Sequence, residues 1–168
     1  MKRFNLKKNP SMRRSKLDAI DKKILQNLQA DGRMTNVELA KVVGISAPPC
    51  LRRVRALEEA GYIHSYHAQI DPAILGYSVT VYAMVRLESQ AEKDLEAFEK
   101  HMVELPMVRE CHMLAGDVDF ILKIVAKDWD SYQEFLTHEL TTAPNVVSVK
   151  SSLNIRSAKD EAGVPIEQ

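Results

Sequence analysis

The sequence predicts an α+β chain of two domains, a small helical one followed by a β-α-β-β-α-β one. Three observations carry this. Apolar residues recur at helical spacing as far as Gly61 and at a spacing of two beyond Asp71-Pro72. Charge divides at nearly the same place: residues 1–62 hold fourteen Lys/Arg against six Asp/Glu, and residues 63–168 hold nine against seventeen, so a net charge of zero conceals a basic front and an acidic rear. A length of 168 residues with 45% apolar content suffices for two small cores.

Residues 1–16 carry seven Lys/Arg and no acid, the composition of a disordered basic arm, and Met12 offers a later start within it. From Asp18 the pattern is helical, with Ile20, Ile24 and Leu28 four apart and Leu17 and Leu25 widening the stripe; Asp31-Gly32 ends it. Thr35-Asn-Val-Glu38 reads as a capping box opening a short helix through Val37, Leu39, Ala40 and Val43, closed by Gly44. ISAPPCLRRVRALEEAG, residues 45–61, then supplies a third helix entered through two prolines, with Ala47 the expected cap. Three helices with a tight turn between the second and third, over 17–63, have helix-turn-helix proportions.

Residues 64–76 are expected to form a hinge strand and linker. From 77 to 156 the period of two first runs through Val79, Val81, Ala83, Val85 and Leu87. Leu95, Phe98 and Met102 mark a helix. Val108–Leu114 and Phe120–Ala126 read as a hairpin, and Trp129, Tyr132, Leu136 and Leu140 as a second helix stopped by Pro144. Val147, Val149, Ser151, Leu153 and Ile155 complete the last strand of a ferredoxin-like split unit, followed by a loose polar tail, 157–168.

Turned at about 100° per residue, the third helix puts Cys50, Leu51, Val54 and Leu57 on a core face. Arg52 points nearly opposite, with Pro48 beside it and Arg53 and Arg55 flanking. A solvated charged face explains such a row equally well; the basic arm and the capped helix before it favour a polyanion. Because Pro48 and Pro49 lack amide donors, phosphate contacts are expected from Ser46, from the arginines, and from the start of the second helix at Thr35 and Asn36.

These residues carry a family resemblance. Leu17-Asp-x-Ile-Asp-x-x-Ile-Leu, Asp31-Gly-Arg, Glu38-Leu-Ala, Gly44-Ile-Ser and Cys50-Leu-x-Arg-Val-x-x-Leu-Glu-x-x-Gly-Tyr-Ile resemble the DNA-binding half of the Lrp/AsnC (feast/famine) transcription regulators, and Glu110-Cys-His-Met-Leu-Ala-Gly-Asp-Val-Asp-Phe-Ile-Leu-Lys123 resembles their rear half. The resemblance spans roughly residues 15–156. It implies a winged or plain helix-turn-helix, a hinge strand, a ferredoxin-like effector-binding domain, and dimers that often form a ring of four. Many members carry a hydroxyl residue where Pro48 stands, a departure at an expected base or phosphate contact.

The resemblance also implies an effector pocket, between neighbouring dimers, at Leu114-Ala-Gly-Asp-Val-Asp-Phe120. An amino acid needs a carboxylate for its ammonium and amide or hydroxyl donors for its own carboxylate. Asp117 or Asp119 and the Gly116 amide answer that need, with Met113 and Leu114 for an aliphatic side chain and Val149 and Ser151 completing the set. Against this, Asp117 and Asp119 are also the residues a turn beside glycine favours. The leading expectation is a cytoplasmic, nucleoid-associated regulator that binds double-stranded DNA and answers to an amino acid, leucine-like by preference. A siroheme decarboxylase of similar plan and an effector-independent DNA-wrapping protein are the rivals. No catalytic residue, cofactor or metal site is expected: the five histidines are scattered, His64 and His67 point apart in extended chain, and Cys111-His112 face apart on a strand. Cys50 and Cys111, the two cysteines, lie among apolar neighbours and read as buried thiols. No leader pattern opens the chain, and its longest nearly uncharged stretch is too short to span a bilayer.

Overall fold

The structure, a computed structural model, describes residues 16–167. The expected basic arm falls almost wholly outside them. Its elements in chain order are helices α1 (Ala19–Ala30), α2 (Asn36–Val43) and α3 (Ala47–Glu59), strand β1 (Val79–Leu87), helix α4 (Glu92–Glu104), strands β2 (Val108–Met113) and β3 (Phe120–Ala126), helix α5 (Trp129–Phe135), a π-helical turn (Leu136–Leu140) and strand β4 (Val146–Leu153). They divide into two compact units. One runs to Gln69 and takes in the chain from Asp160; the other is Ile70–Lys159.

In the first unit each helix begins on local chemistry. Asp18 caps α1, accepting the Asp21 amide while the Asp21 carboxylate accepts the Asp18 amide. Thr35 and Glu38 do the same for α2, which Gly44 ends in the left-handed region at φ +79°. The cap of α3 is Ser46, one residue before the expected Ala47, and its side chain makes no capping bond. Both prolines then fall in the first turn, where missing donors cost nothing. Ile24, Leu39, Ala40, Val43, Cys50 and Leu57 form the buried core. Leu51, expected there, is 38% exposed: it lies about 100° around α3 from Cys50, beyond the reach of α1 and α2.

From residue 63 to 71 the chain joins no helix or ladder, and turns follow at 72–76, so the expected hinge strand is not a strand within one chain. The tail expected to be loose is docked: Val164 and Ile166 are hydrogen-bonded to Gln29 and Gln26 of α1.

The second unit is one antiparallel sheet ordered β2-β3-β1-β4. Strict alternation on its two central strands buries Val81, Ala83, Val85 and Leu87 with Phe120, Leu122, Ile124 and Ala126 under the helices. Phe98 of α4 meets Phe120 with ring centroids 4.7 Å apart, and Met102, Tyr132, Phe135 and Leu140 close the layer. The second helix does not run regularly to Leu140. Its last turn widens, the Thr141 amide reaching back to the Leu136 carbonyl at 3.0 Å, and Leu140 stays fully buried. The final strand stops at Leu153, leaving Ile155 94% exposed.

Register decides the opposite face. Tyr82 pairs with Lys123 and Ser152, Met84 with Ile121 and Lys150, and Lys123 with Glu110. The face without helices thus presents Tyr82, Met84 and Ile121 around a Glu110–Lys123 ion pair of 3.0 Å. Cys111 pairs with Leu122 and turns toward the helices.

Candidate nucleic-acid interface and effector turn

The outward row of α3 is built by what its neighbours take away. Cys50, Val54 and Leu57 face the core, and the opposite side shows Pro48, Arg52 and Arg55, all exposed. Neither Arg52 nor Arg55 has an ion-pair partner among the described residues. Ser46 is exposed beside them, its hydroxyl free of any capping bond.

Arg53 is different. Its Nη1 lies 2.8 Å from Asp18 Oδ2 and 2.7 Å from Asp21 Oδ1, so it clasps the start of α1 to α3. The hydrogen bond from the Asp21 amide, joined by that from Arg53, holds the Asp18 carboxyl below its ordinary range. The Arg53 guanidinium is raised in turn, first by Asp21 and then by Asp18. The structure therefore gives Arg53 a scaffolding contact and leaves Arg52 and Arg55 as the free cations of this helix.

Thr35 and Asn36 are also engaged within the unit. The Thr35 hydroxyl donates to Glu38 Oε2 at 2.7 Å and its amide to the same oxygen at 2.8 Å. Asn36 Nδ2 donates to the Ala47 carbonyl at 2.9 Å, fastening the start of α2 to the first residue of α3. The carboxylate of Glu38 occupies the helix end that a phosphate would use. Arg33, exposed at the turn between α1 and α2, was not among the expected contacts, although the Asp31-Gly-Arg motif marked the place.

The second candidate site is the six-residue link between β2 and β3. The Leu114 amide donates to the Asp119 carbonyl at 2.8 Å and closes it; the Asp119 amide donates to the Val85 carbonyl at 3.0 Å. The two aspartates separate sharply. Asp119 is 8% exposed, and both its oxygens are used: Oδ2 accepts the Leu87 amide at 2.7 Å and Oδ1 accepts Gln90 Nε2 at 2.8 Å. Asp117 is exposed and has no hydrogen bond or ion pair among the described residues. The expectation that either could serve a ligand ammonium is thereby narrowed to Asp117; Asp119 fixes the turn to the end of β1. Gln90 went unnoticed in the sequence because no local pattern links positions 29 residues apart.

Gly116, Met113 and Leu114 are exposed at the same end of the sheet. Val149 and Ser151 are not brought beside them within one chain. They lie on β4, two strands from β3, paired with Val85 and Ala83. The Ser151 hydroxyl is bonded to that of Tyr132, and Val149 packs against the helical core.

Three comparisons bear on these sites. Residues 17–64 match the family model described as winged helix-turn-helix DNA-binding, and residues 80–164 match the Lrp/AsnC ligand binding domain. The chain is 51% identical over 153 residues to the leucine-responsive regulatory protein of Rhizobium meliloti (strain 1021), covering 91% of this chain and 98% of that one. It is 41% identical over 152 residues to the Bkd operon transcriptional regulator of Pseudomonas aeruginosa, covering 90% and 99%. Among solved structures, a transcriptional regulator of Neisseria meningitidis in complex with L-Met superposes with a TM-score of 0.85 at 33% identity, over 89% of this chain and 97% of that one.

Proposed function

Because the chain belongs to the Lrp/AsnC family of transcriptional regulators, we propose that it binds specific double-stranded DNA through α3 and adjusts that binding to an aliphatic amino acid held at the β2–β3 turn. The helix-turn-helix and the ligand-binding domain are family properties; the residues and the ligand are our reading. One observation carries it: Arg52 and Arg55 project unpaired from α3 while Arg53 is drawn inward. Two free guanidiniums with Ser46 and Pro48 suit base edges and flanking phosphates in a major groove.

At the turn, Asp117 takes the ligand ammonium and the Gly116 amide its carboxylate, with Met113 and Leu114 against the aliphatic side chain. The names of relatives support this class of ligand: one is leucine-responsive and one was solved with L-Met. Since Val149 and Ser151 lie away from the turn in one chain, a pocket using all of these residues needs a second copy. We read the helix-free sheet face as the dimer surface, with dimers assembling further into a tetramer of dimers, and we place the protein in the cytoplasm on the nucleoid. We assign no reaction to it. Burial, with Glu99 nearby, pushes the Cys111 thiol up to about 12, so it is not a thiolate at neutral pH.

The test is a thermal-shift titration with the twenty amino acids, alongside DNA binding. A ligand that binds only the native state must raise its stability. L-leucine or L-methionine is expected to raise the midpoint and change DNA affinity; no shift with any amino acid would remove the effector from this reading.

A further inference from the structure

The last described residues make a definite contact. Gln29, on the solvent side of α1, meets the backbone of Val164 twice: Nε2 donates to the carbonyl at 2.9 Å and Oε1 accepts the amide at 3.1 Å. One turn earlier Gln26 Nε2 donates to the Ile166 carbonyl at 2.7 Å. The intervening Pro165 has no amide to satisfy, so an extended Val-Pro-Ile can be held through its main chain alone.

Gly163 is fitted to this contact. Its φ of +85° is one that residues with a Cβ rarely adopt, and a Cβ there would lie 2.2 Å from Gln29 Oε1. Any other residue at 163 must displace the amide that grips Val164. The glutamines are spaced for one helix face and the glycine stands beside them, so three independent positions agree on one docked arrangement.

The chain leaves this unit after Gln69 and re-enters it at Asp160. The helical unit is therefore joined to the ligand-binding unit covalently once, after Gln69, and a second time through the hydrogen-bonded segment that follows Lys159. We propose that the outer face of α1 is a docking site for the chain's own C-terminal segment, and that the docked segment is a second tether limiting how freely the DNA-binding helices move against the ligand-binding unit. A single connection through the chain after Ile63 leaves the helices one covalent link; a second attachment restricts their motion further. The significance for regulation rests on the function proposed above, but the docking does not.

The experiment uses the full chain, the parent against Gln29→Ala and Gly163→Val, with no ligand added. In amide exchange, Val164 is expected to be protected in the parent and to exchange roughly tenfold faster in both variants, with the amides of α3 and the sheet unchanged. A dye on Glu59→Cys is expected to report wider segmental motion of the helical unit in both variants. A Val164 amide exchanging at the open-chain rate in the parent overturns the docking. Identical segmental motion in parent and variants overturns the tether. A parent that ignores all amino acids counts against the effector reading alone, since neither readout uses one.

Discussion

The Asp119 carboxylate lies 2.7 Å from the Leu87 amide nitrogen, joining the start of β3 to the end of β1 inside the structure. Asp117, two residues earlier, stands in solvent. Two aspartates in one short motif therefore do different work, and variants separate them.

Asp119→Ala leaves the Leu87 amide without its acceptor and Gln90 without a partner. Orphaning a buried donor costs about 1–3 kcal/mol. The melting temperature is expected to fall, and the ligand response with it as the turn loses its anchor. Calorimetry that finds the parent midpoint in Asp119→Ala would show that the clasp holds nothing.

Asp117→Ala is expected to melt with the parent and to bind DNA with the parent's affinity, yet to lose the amino-acid response. Once ligand and a second copy enclose the pair of Asp117 with the ligand ammonium, its loss costs on the order of 2–5 kcal/mol in ligand affinity. Isothermal titration with L-leucine and L-methionine measures it directly.

Arg52→Ala and Arg53→Ala are expected to part company. Arg52→Ala loses about 1–3 kcal/mol of binding to a specific site with stability unchanged. Arg53→Ala lowers stability by up to about 1 kcal/mol, since its ion pairs are partly exposed, and alters DNA affinity less. Equal losses of affinity in the two would return Arg53 to the DNA surface.

The Asp18 carboxyl sits below its ordinary range in the folded state, held by the Asp21 amide and Arg53. Its contribution is present above the unfolded value of about 3.9 and is lost as pH falls through the lower folded value. Asp18→Asn keeps a good cap and removes the charge. It is expected to be less stable than the parent at pH 7, with the difference closing as pH falls below the folded value. A difference independent of pH would assign the effect to the cap rather than to the charge.

On the sheet, Tyr82→Glu puts a carboxylate among Met84, Ile121 and the Glu110–Lys123 pair. Sedimentation is expected to show a dimer or larger for the parent and dissociation for the variant. A parent that stays monomeric at every concentration would contradict the assignment of this face.

The sequence was most informative where the deciding interactions are local. The capping box at Thr35 lies within four residues, and the alternation from Val79 to Leu87 follows from strand geometry alone. Features that depend on distant partners were not legible. Helix projection put Arg53 at the edge of the outward face, but Asp18 and Asp21, over thirty residues away, draw it in. Leu51 was assigned to a core whose width depends on how closely α1 and α2 approach. The two aspartates of the turn look alike in sequence, and only the return of β1 and Gln90 tells them apart. Polar composition suggested a loose tail, because main-chain recognition of Val164 leaves no mark on side-chain pattern.

In the function proposed here, DNA occupancy through α3 answers to an amino acid at Asp117. Fluorescence anisotropy on a duplex selected by this protein from random sequence, titrated with and without L-leucine or L-methionine, tests it most directly. One of these ligands is expected to shift the DNA midpoint about 5- to 150-fold, the span of a usual coupling energy, in the parent and not in Asp117→Ala. The same shift in Asp117→Ala would place the pocket elsewhere, and no sequence-specific binding by the parent would contradict the claim at its root.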